Sequence, residues 1–185
     1  MIGGMLGRLS TAILLLLAGV IAARAESEQR VTVKNAAFST TVPASPGWRQ
    51  VQSAYLSATY QWQDVEHLRS WNIMVAGIQI KPVKTREALE REFHDASKGL
   101  LQPGFEIGPV EVLSRKPRRY ECVEGGTLPS STTALPMTLK FKVAICRHPI
   151  YANGAVLLAM SVGAKTGDDV ELTGFDRLID DLVMN

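Results

Sequence analysis

Apolar and polar positions alternate with a period of two along much of this chain, most clearly between Met137 and Val162. Leu139, Phe141, Val143 and Ile145 alternate with Lys140, Lys142, Ala144 and Cys146. Successive strand side chains point to opposite sides, so the pattern predicts a half-buried strand with one apolar face. Pro149 and Asn153-Gly154 supply turn chemistry, and Ala155 to Val162 is apolar throughout, as in a strand covered on both faces. This hairpin is the expected centre of a sheet.

Shorter alternating runs precede it. Arg30–Lys34 and Ala37–Pro43 are predicted strands, the second stopped by Pro43, and Pro46-Gly47 form a turn before Trp48. Tyr55–Trp62 alternates with an aromatic-rich face, and Trp71–Ile80 is a longer apolar strand; the polar stretch 63–70 is the expected exposed connection between them. From Thr85 to Gln102 the period changes. Thr85 is the expected N-cap, Leu89, Phe93, Ala96 and Leu100 form one stripe, and Pro103-Gly104 end the helix. Val110–Leu113 and Tyr120–Val123 are predicted strands. A closing helix is expected from Asp168-Asp169, with Phe175, Leu178, Ile179 and Leu182 buried and Asp176, Asp180 and Asp181 outside.

Strands, helix, strands, helix is the order of an α+β domain: a mostly antiparallel sheet packed by one central and one C-terminal helix. Phe38-Ser-Thr-Thr-Val-Pro43, followed by Pro46-Gly-Trp48, resembles the opening of Mog1/PsbP-like domains, including the DcrB-like periplasmic ones. The later element order is also similar, down to a closing helix of the Phe175-Asp-x-Leu-Ile179 kind. The resemblance spans nearly all of the chain after residue 25. It implies a binding or assembly module that is not an enzyme, and it carries no catalytic residues over; no cofactor is expected.

The first 25 residues have the pattern of a cleaved signal peptide: Arg8, an apolar run from Thr11 to Ala23, and the small-x-small Ala23-Arg24-Ala25 before polar residues. The apolar run is shorter than the roughly 20 residues of a membrane span. The expected product is residues 26–185, one α+β domain in the periplasm or secreted, with no stable membrane insertion. The full chain has 20 basic and 18 acidic residues; losing Arg8 and Arg24 leaves 18 of each. Zero net charge argues against a nucleic-acid binder, which would show a basic face.

Cys122 and Cys146 are the chain's two cysteines, and an exported domain most simply pairs them. If they lie opposite each other on a hairpin, its tip falls at Ala134, inside the loop-like Gly125–Pro136 stretch. Such a cross-link stabilises by about 3.5 kcal/mol in the chain-entropy model. There is no Cys-x-x-Cys, so a structural staple is expected in place of a redox centre.

Other chemistry is sparse. His67, His94 and His148 have no metal-ligand spacing, and no metal site is expected. Ala159-Met-Ser161-Val-Gly163 approximates a nucleophile elbow but lies in a strand-like run. A hydrolase built on Ser161 or His148, and a small-ligand binder with an aromatic pocket, therefore stand as alternatives. The Arg115-Lys-Pro-Arg118-Arg119 cluster is a candidate surface for an acidic partner or simply a solvated turn. Trp48, Trp62 and Trp71 are candidates for an interface, where aromatics are enriched, although they serve equally to fill a core. The function these features point to is a periplasmic protein-binding module of the immunity or envelope-adaptor type, with a protein partner of unspecified identity.

Overall fold

A computed structural model describes residues 29–100, 118–126, 130–131, 137–165, 172 and 174–185. Ten strands and two helices lie among these residues. Strands β1 (Arg30–Lys34), β2 (Phe38–Pro43), β3 (Arg49–Ala54), β4 (Ser57–Asp64) and β5 (Arg69–Gln79) precede helix α1 (Arg86–Lys98). Strands β6 (Cys122–Gly126), β7 (Ser130–Ser131), β8 (Met137–Arg147) and β9 (Gly154–Lys165) follow, then α2 (Phe175–Asp180) and β10 (Val183–Met184). The large sheet has the order β3-β4-β5-β9-β8-β6, with β7 also against β8; the small one has the order β1-β2-β10. Every pairing is antiparallel.

The apolar run in β9 has a direct cause. Ala155, Leu157 and Ala159 face α1, while Val156, Leu158 and Met160 face the small sheet and α2. The strand is covered on both sides and lies between β5 and β8, at the centre of the large sheet. Leu89 and Phe93 project from α1 onto Val143, Ile145 and Leu157, and both are fully buried. Burial of each such side chain stabilises by about 1.5–3 kcal/mol. On the opposite face Phe38 and Val42 of β2, with Phe175, Leu178 and Ile179 of α2, pack on Ile73, Val75 and Leu158. Thr40 joins these two parts of the second layer by donating its hydroxyl to Leu178 O at 2.8 Å.

Several sequence expectations are corrected in detail. The second half of β8 is buried on both faces, since Ala144 and Cys146 are as inaccessible as Val143 and Ile145. Their neighbours Leu158 and Val156 carry the second core across that position. Strand β3 has no apolar periodicity and all six of its residues are exposed, so pattern did not reveal it. It is the edge of the large sheet, and a bulge at Val51 interrupts its register, a common protection for an unpaired edge. The connection expected over 63–70 shrinks to four residues, with Leu68 at φ 52° and the Asp64 side chain accepting from His67 N. Helix α1 begins where Thr85 caps it, its hydroxyl accepting from Ala88 N, and ends at Lys98. Helix α2 spans Phe175–Asp180, preceded by Gly174 at φ 88°. The expected strand at Val110–Leu113, the Pro103-Gly104 stop, the Ala134 tip and the Asp168-Asp169 helix start lie outside the described residues.

Candidate functional site

Residues of β6 and β8 pair as Cys122↔Cys146 through Gly126↔Lys142, the register expected from a tip at Ala134. Cys122 and Cys146 form the disulfide, which fastens β6, the last of the described strands on that side of the sheet, to β8. Strand β6 runs three residues further than expected, through Glu124 into Gly125-Gly126. A Cβ at Gly126 would lie 2.8 Å from Phe141 O, so only glycine permits this close pairing.

Arg118 is not presented to solvent. Its side chain is 9% exposed and meets three carboxylates: Glu124 at 3.4 Å, Asp176 and Asp180. It therefore locks α2 to the β6 edge. Burial works against the guanidinium charge, but hydrogen bonds to Asp176 and Asp180 and the field of Glu124 outweigh it and hold Arg118 above its usual range. Glu124 is 3% exposed, and burial raises its carboxyl above the ordinary range despite the nearby Arg118 charge. Arg119, by contrast, is exposed and stacks 5.9 Å over Tyr120. Arg115 lies outside the described residues.

The tryptophans gather at one end of the large sheet. Trp62 and Trp71 are register partners on β4 and β5, with ring centroids 4.8 Å apart at 78°. Gly47, beside Trp48 in the chain, turns against the Trp62 ring, which donates Nε1–H to Pro46 O at 3.3 Å. Trp48 is half-buried and packs on the core beneath the small sheet. This end is a compact aromatic corner whose rings are largely spent on each other and on the core.

His148 and Ser161 do not form a dyad. His148 N bonds Gly154 O, and Ser161 lies seven residues further along β9. At about 3.3 Å per strand residue, the separation is roughly 23 Å. Ser161 is paired in mid-sheet between Asn72 and Phe141, away from any sharp turn. His67 bonds Asp64, and His94 stands on the exposed face of α1. Among the described residues, no group of three His, Cys, Asp or Glu is placed to hold a metal.

His148 instead builds the rim of a groove. Its Nδ1 accepts from the backbone N–H groups of Ile150 and Tyr151 at 3.1 and 3.2 Å. That assigns the proton to Nε2, which donates to Asn185 O at 3.0 Å. The ring lies 4.6 Å from that of Tyr151. The buried histidine thus fixes a turn that displays Ile150 at 75% and Tyr151 at 60% exposure. Beside this turn opens a concavity of about 470 Å³, its floor formed by Gly77, Ala37, Gly154 and Val156 and its far wall by Leu56. A Cβ at Gly77 would come within 3.1 Å of Ala37 Cβ, and one at Gly154 within 3.1 Å of Tyr151 Cβ. The two glycines make the hollow possible. Its polar groups are the amides of Gln79, Asn153 and Asn185, with His148 and Tyr151; none of its lining residues is Asp, Glu, Lys or Arg. Along β5, Trp71 and Gly77 are six residues apart, so the aromatic corner and the groove occupy opposite ends of the sheet.

No protein-family model and no curated protein matches the chain. Solved structures do. The Ran-binding protein Mog1p of Saccharomyces cerevisiae superposes with a TM-score of 0.52 over 85% of this chain and 96% of its own, at 12% identity. A Mog1 point mutant matches at a TM-score of 0.48, with 14% identity, over 84% of this chain and 94% of that one. The fold is Mog1/PsbP-like.

At this identity the likeness to Mog1p concerns the backbone alone, and no site residue transfers with it. The groove was not expected from sequence. Its signals were slight: a glycine inside the apolar strand β5, which marks a close approach, and an adjacent Ile150-Tyr151 pair in a turn.

Proposed function

We propose that this Mog1/PsbP-like domain is an exported, non-catalytic protein-binding module, of the immunity or envelope-adaptor type. The observation that carries the proposal is the apolar rim at the groove end of the sheet. Tyr55, Leu56, Ile150 and Tyr151 are 80%, 38%, 75% and 60% exposed, and His148 holds two of them in place. Apolar surface held rigid and open to solvent marks interaction sites, and tyrosine is enriched where binding energy concentrates. The Ran-binding description of Mog1p supports protein recognition as a use of this backbone. Export is supported by the leader-like pattern of residues 1–25 and by the use of both cysteines in one disulfide.

The test is affinity capture from the native envelope with the tagged full-length protein, alongside Tyr151→Ala and Leu56→Ala variants. A stoichiometric protein that accompanies the wild type and is lost from the variants supports the proposal; its toxicity when expressed alone distinguishes immunity from an adaptor role. A wild type that captures nothing, or that stays in the cytosol with residues 1–25 attached, overturns it. Ser161 and His148 lie too far apart to act together in one hydrolytic site.

A further inference from the structure

The groove itself supplies a more specific inference, which rests on the protein-binding proposal. We infer that the hollow over Gly77 and Gly154 receives an uncharged apolar anchor, one or two aromatic or aliphatic side chains, from a partner protein. Three features converge on this. The first is electrostatic: no lining side chain is Asp, Glu, Lys or Arg, so a charged side chain entering the hollow would lose its hydration with no side-chain counter-ion to replace it. Apolar groups carry no such cost, and the amides of Gln79, Asn153 and Asn185 remain at the edge for a partner's backbone.

The second is pre-organisation. His148 ties the 149–151 turn to Asn185, and Asn185 in turn donates its N–H to Ala37 O at 3.1 Å and its side-chain amide to Asn35 O at 3.0 Å. Gly77 N donates to Leu56 O at 2.7 Å, fixing the opposite wall. Both walls are therefore set before anything binds, which limits the ordering cost of association.

The third concerns the size of the occupant. Small-molecule sites enclose most of their ligand. Here the apolar surface continues out of the hollow onto Ile150, Tyr151 and Tyr55, which are each at least 60% exposed. A body larger than the hollow is needed to cover them. A buried anchor surrounded by apolar rim contacts is the usual energetic arrangement of a protein interface.

A phage-displayed library of random twelve-residue peptides, panned on the full-length protein and counter-selected on Ala36→Glu, tests the inference. Ala36 is exposed at the groove, so its substitution places a carboxylate there without disturbing the core. Enriched peptides should share an uncharged aromatic or aliphatic anchor. In fluorescence anisotropy their affinity should fall by about tenfold or more with Ala36→Glu and with Tyr151→Ala, the loss typical of an interface anchor. Arg119→Ala, at the edge of β6, should leave it within about twofold. Circular dichroism checks that each variant is folded. Peptides that ignore both groove variants, peptides with charged anchors, or no enrichment at all each overturn the inference. So does N-phenyl-1-naphthylamine, a neutral small probe, if it binds the groove where no peptide does. Failure here with a partner still captured from the envelope sinks the groove and leaves the protein-binding proposal standing.

Discussion

Replacing Arg118 with alanine removes the cation from a buried charge cluster. Of its three carboxylate partners, Asp176 and Asp180 are 63% and 49% exposed, and exposed pairs contribute about 0–1 kcal/mol each. Glu124 decides the magnitude. At 3% exposure it cannot recover hydration when its cation is removed, and neither its Oε2 nor Arg118 Nε has a hydrogen-bond partner among the described residues. Breaking a buried pair from one side costs about 3–5 kcal/mol. At about 2–4 °C per kcal/mol for a domain of this size, the melting temperature should fall by roughly 10 °C. Burial already holds the Glu124 carboxyl above its ordinary value of 4.5, so the folded state takes up that proton more readily than the unfolded chain. Its favourable contribution is full below the ordinary value and is lost as pH rises through the raised folded value. Arg118 opposes that loss by favouring the carboxylate. Without Arg118 the carboxyl rises further, so the deficit of Arg118→Ala should widen upward from the ordinary glutamate range and be least in acid. Thermal and urea unfolding of wild type, Arg118→Ala, Glu124→Gln and the double variant, between about pH 4 and pH 8, measure this. At neutral pH the double variant should be more stable than Arg118→Ala, since it holds no unpaired buried charge. A deficit of only about 1 kcal/mol, typical of a surface pair, refutes the reasoning. So does a double variant no more stable than the single one.

Other changes probe the rest of the frame. Cys122→Ala with Cys146→Ala should lower stability by about 3.5 kcal/mol in denaturant titration, as should reduction of the wild type; equal midpoints with and without reductant would contradict the staple. Phe93→Ala removes the fully buried centre of the α1 contact and should cost about 3–5 kcal/mol by thermal unfolding, against about 1 kcal/mol for the exposed cap Thr85→Ala. Gly47→Ala sets a Cβ 2.6 Å from Trp62 Nε1 at φ +96°, so it should cost about 1–3 kcal/mol and red-shift tryptophan emission as Trp62 is displaced. An unshifted spectrum would show that the Gly47 turn does not hold that ring.

How far the sequence reveals this architecture depends on the range over which each feature is determined. β9 and α1 were legible because a single stretch carries a complete signal: unbroken apolar residues in one, a capped stripe of Leu89 and Phe93 in the other. The Cys122–Cys146 register was legible because two cysteines and one loop-like stretch leave a single symmetric hairpin. β3 was not, since an edge strand exposed on both faces has no need to alternate, and Arg49-Gln-Val-Gln-Ser-Ala54 has nothing to bury. β10 is two residues long and exists only because β2 offers it an edge. Arg118 shows a subtler failure. In sequence it is one of a run of cations, and nothing local distinguishes it from Arg119. Only the fold brings Glu124 beneath it and α2 across it.

The groove is the extreme of the same rule. Its walls come from the turn before β2, the turn between β3 and β4, the end of β5, the start of β9 and the residue after β10, and each of its residues has a sufficient local explanation. Gly154 reads as part of a turn, Gly77 as a weak point in a strand, and His148 as a polar residue leaving one. Together they have the opposite character. The glycines clear a floor that larger side chains would fill, and His148 uses both ring nitrogens to hold Ile150 and Tyr151 out in solvent. Folding alone gives no reason to spend a buried histidine on exposing two large apolar side chains, because burying them would stabilise the domain more. At the tryptophan end the rings pack against each other and the core, as stability requires. The contrast between the two ends is the reason recognition is proposed at the end that the tryptophans do not occupy.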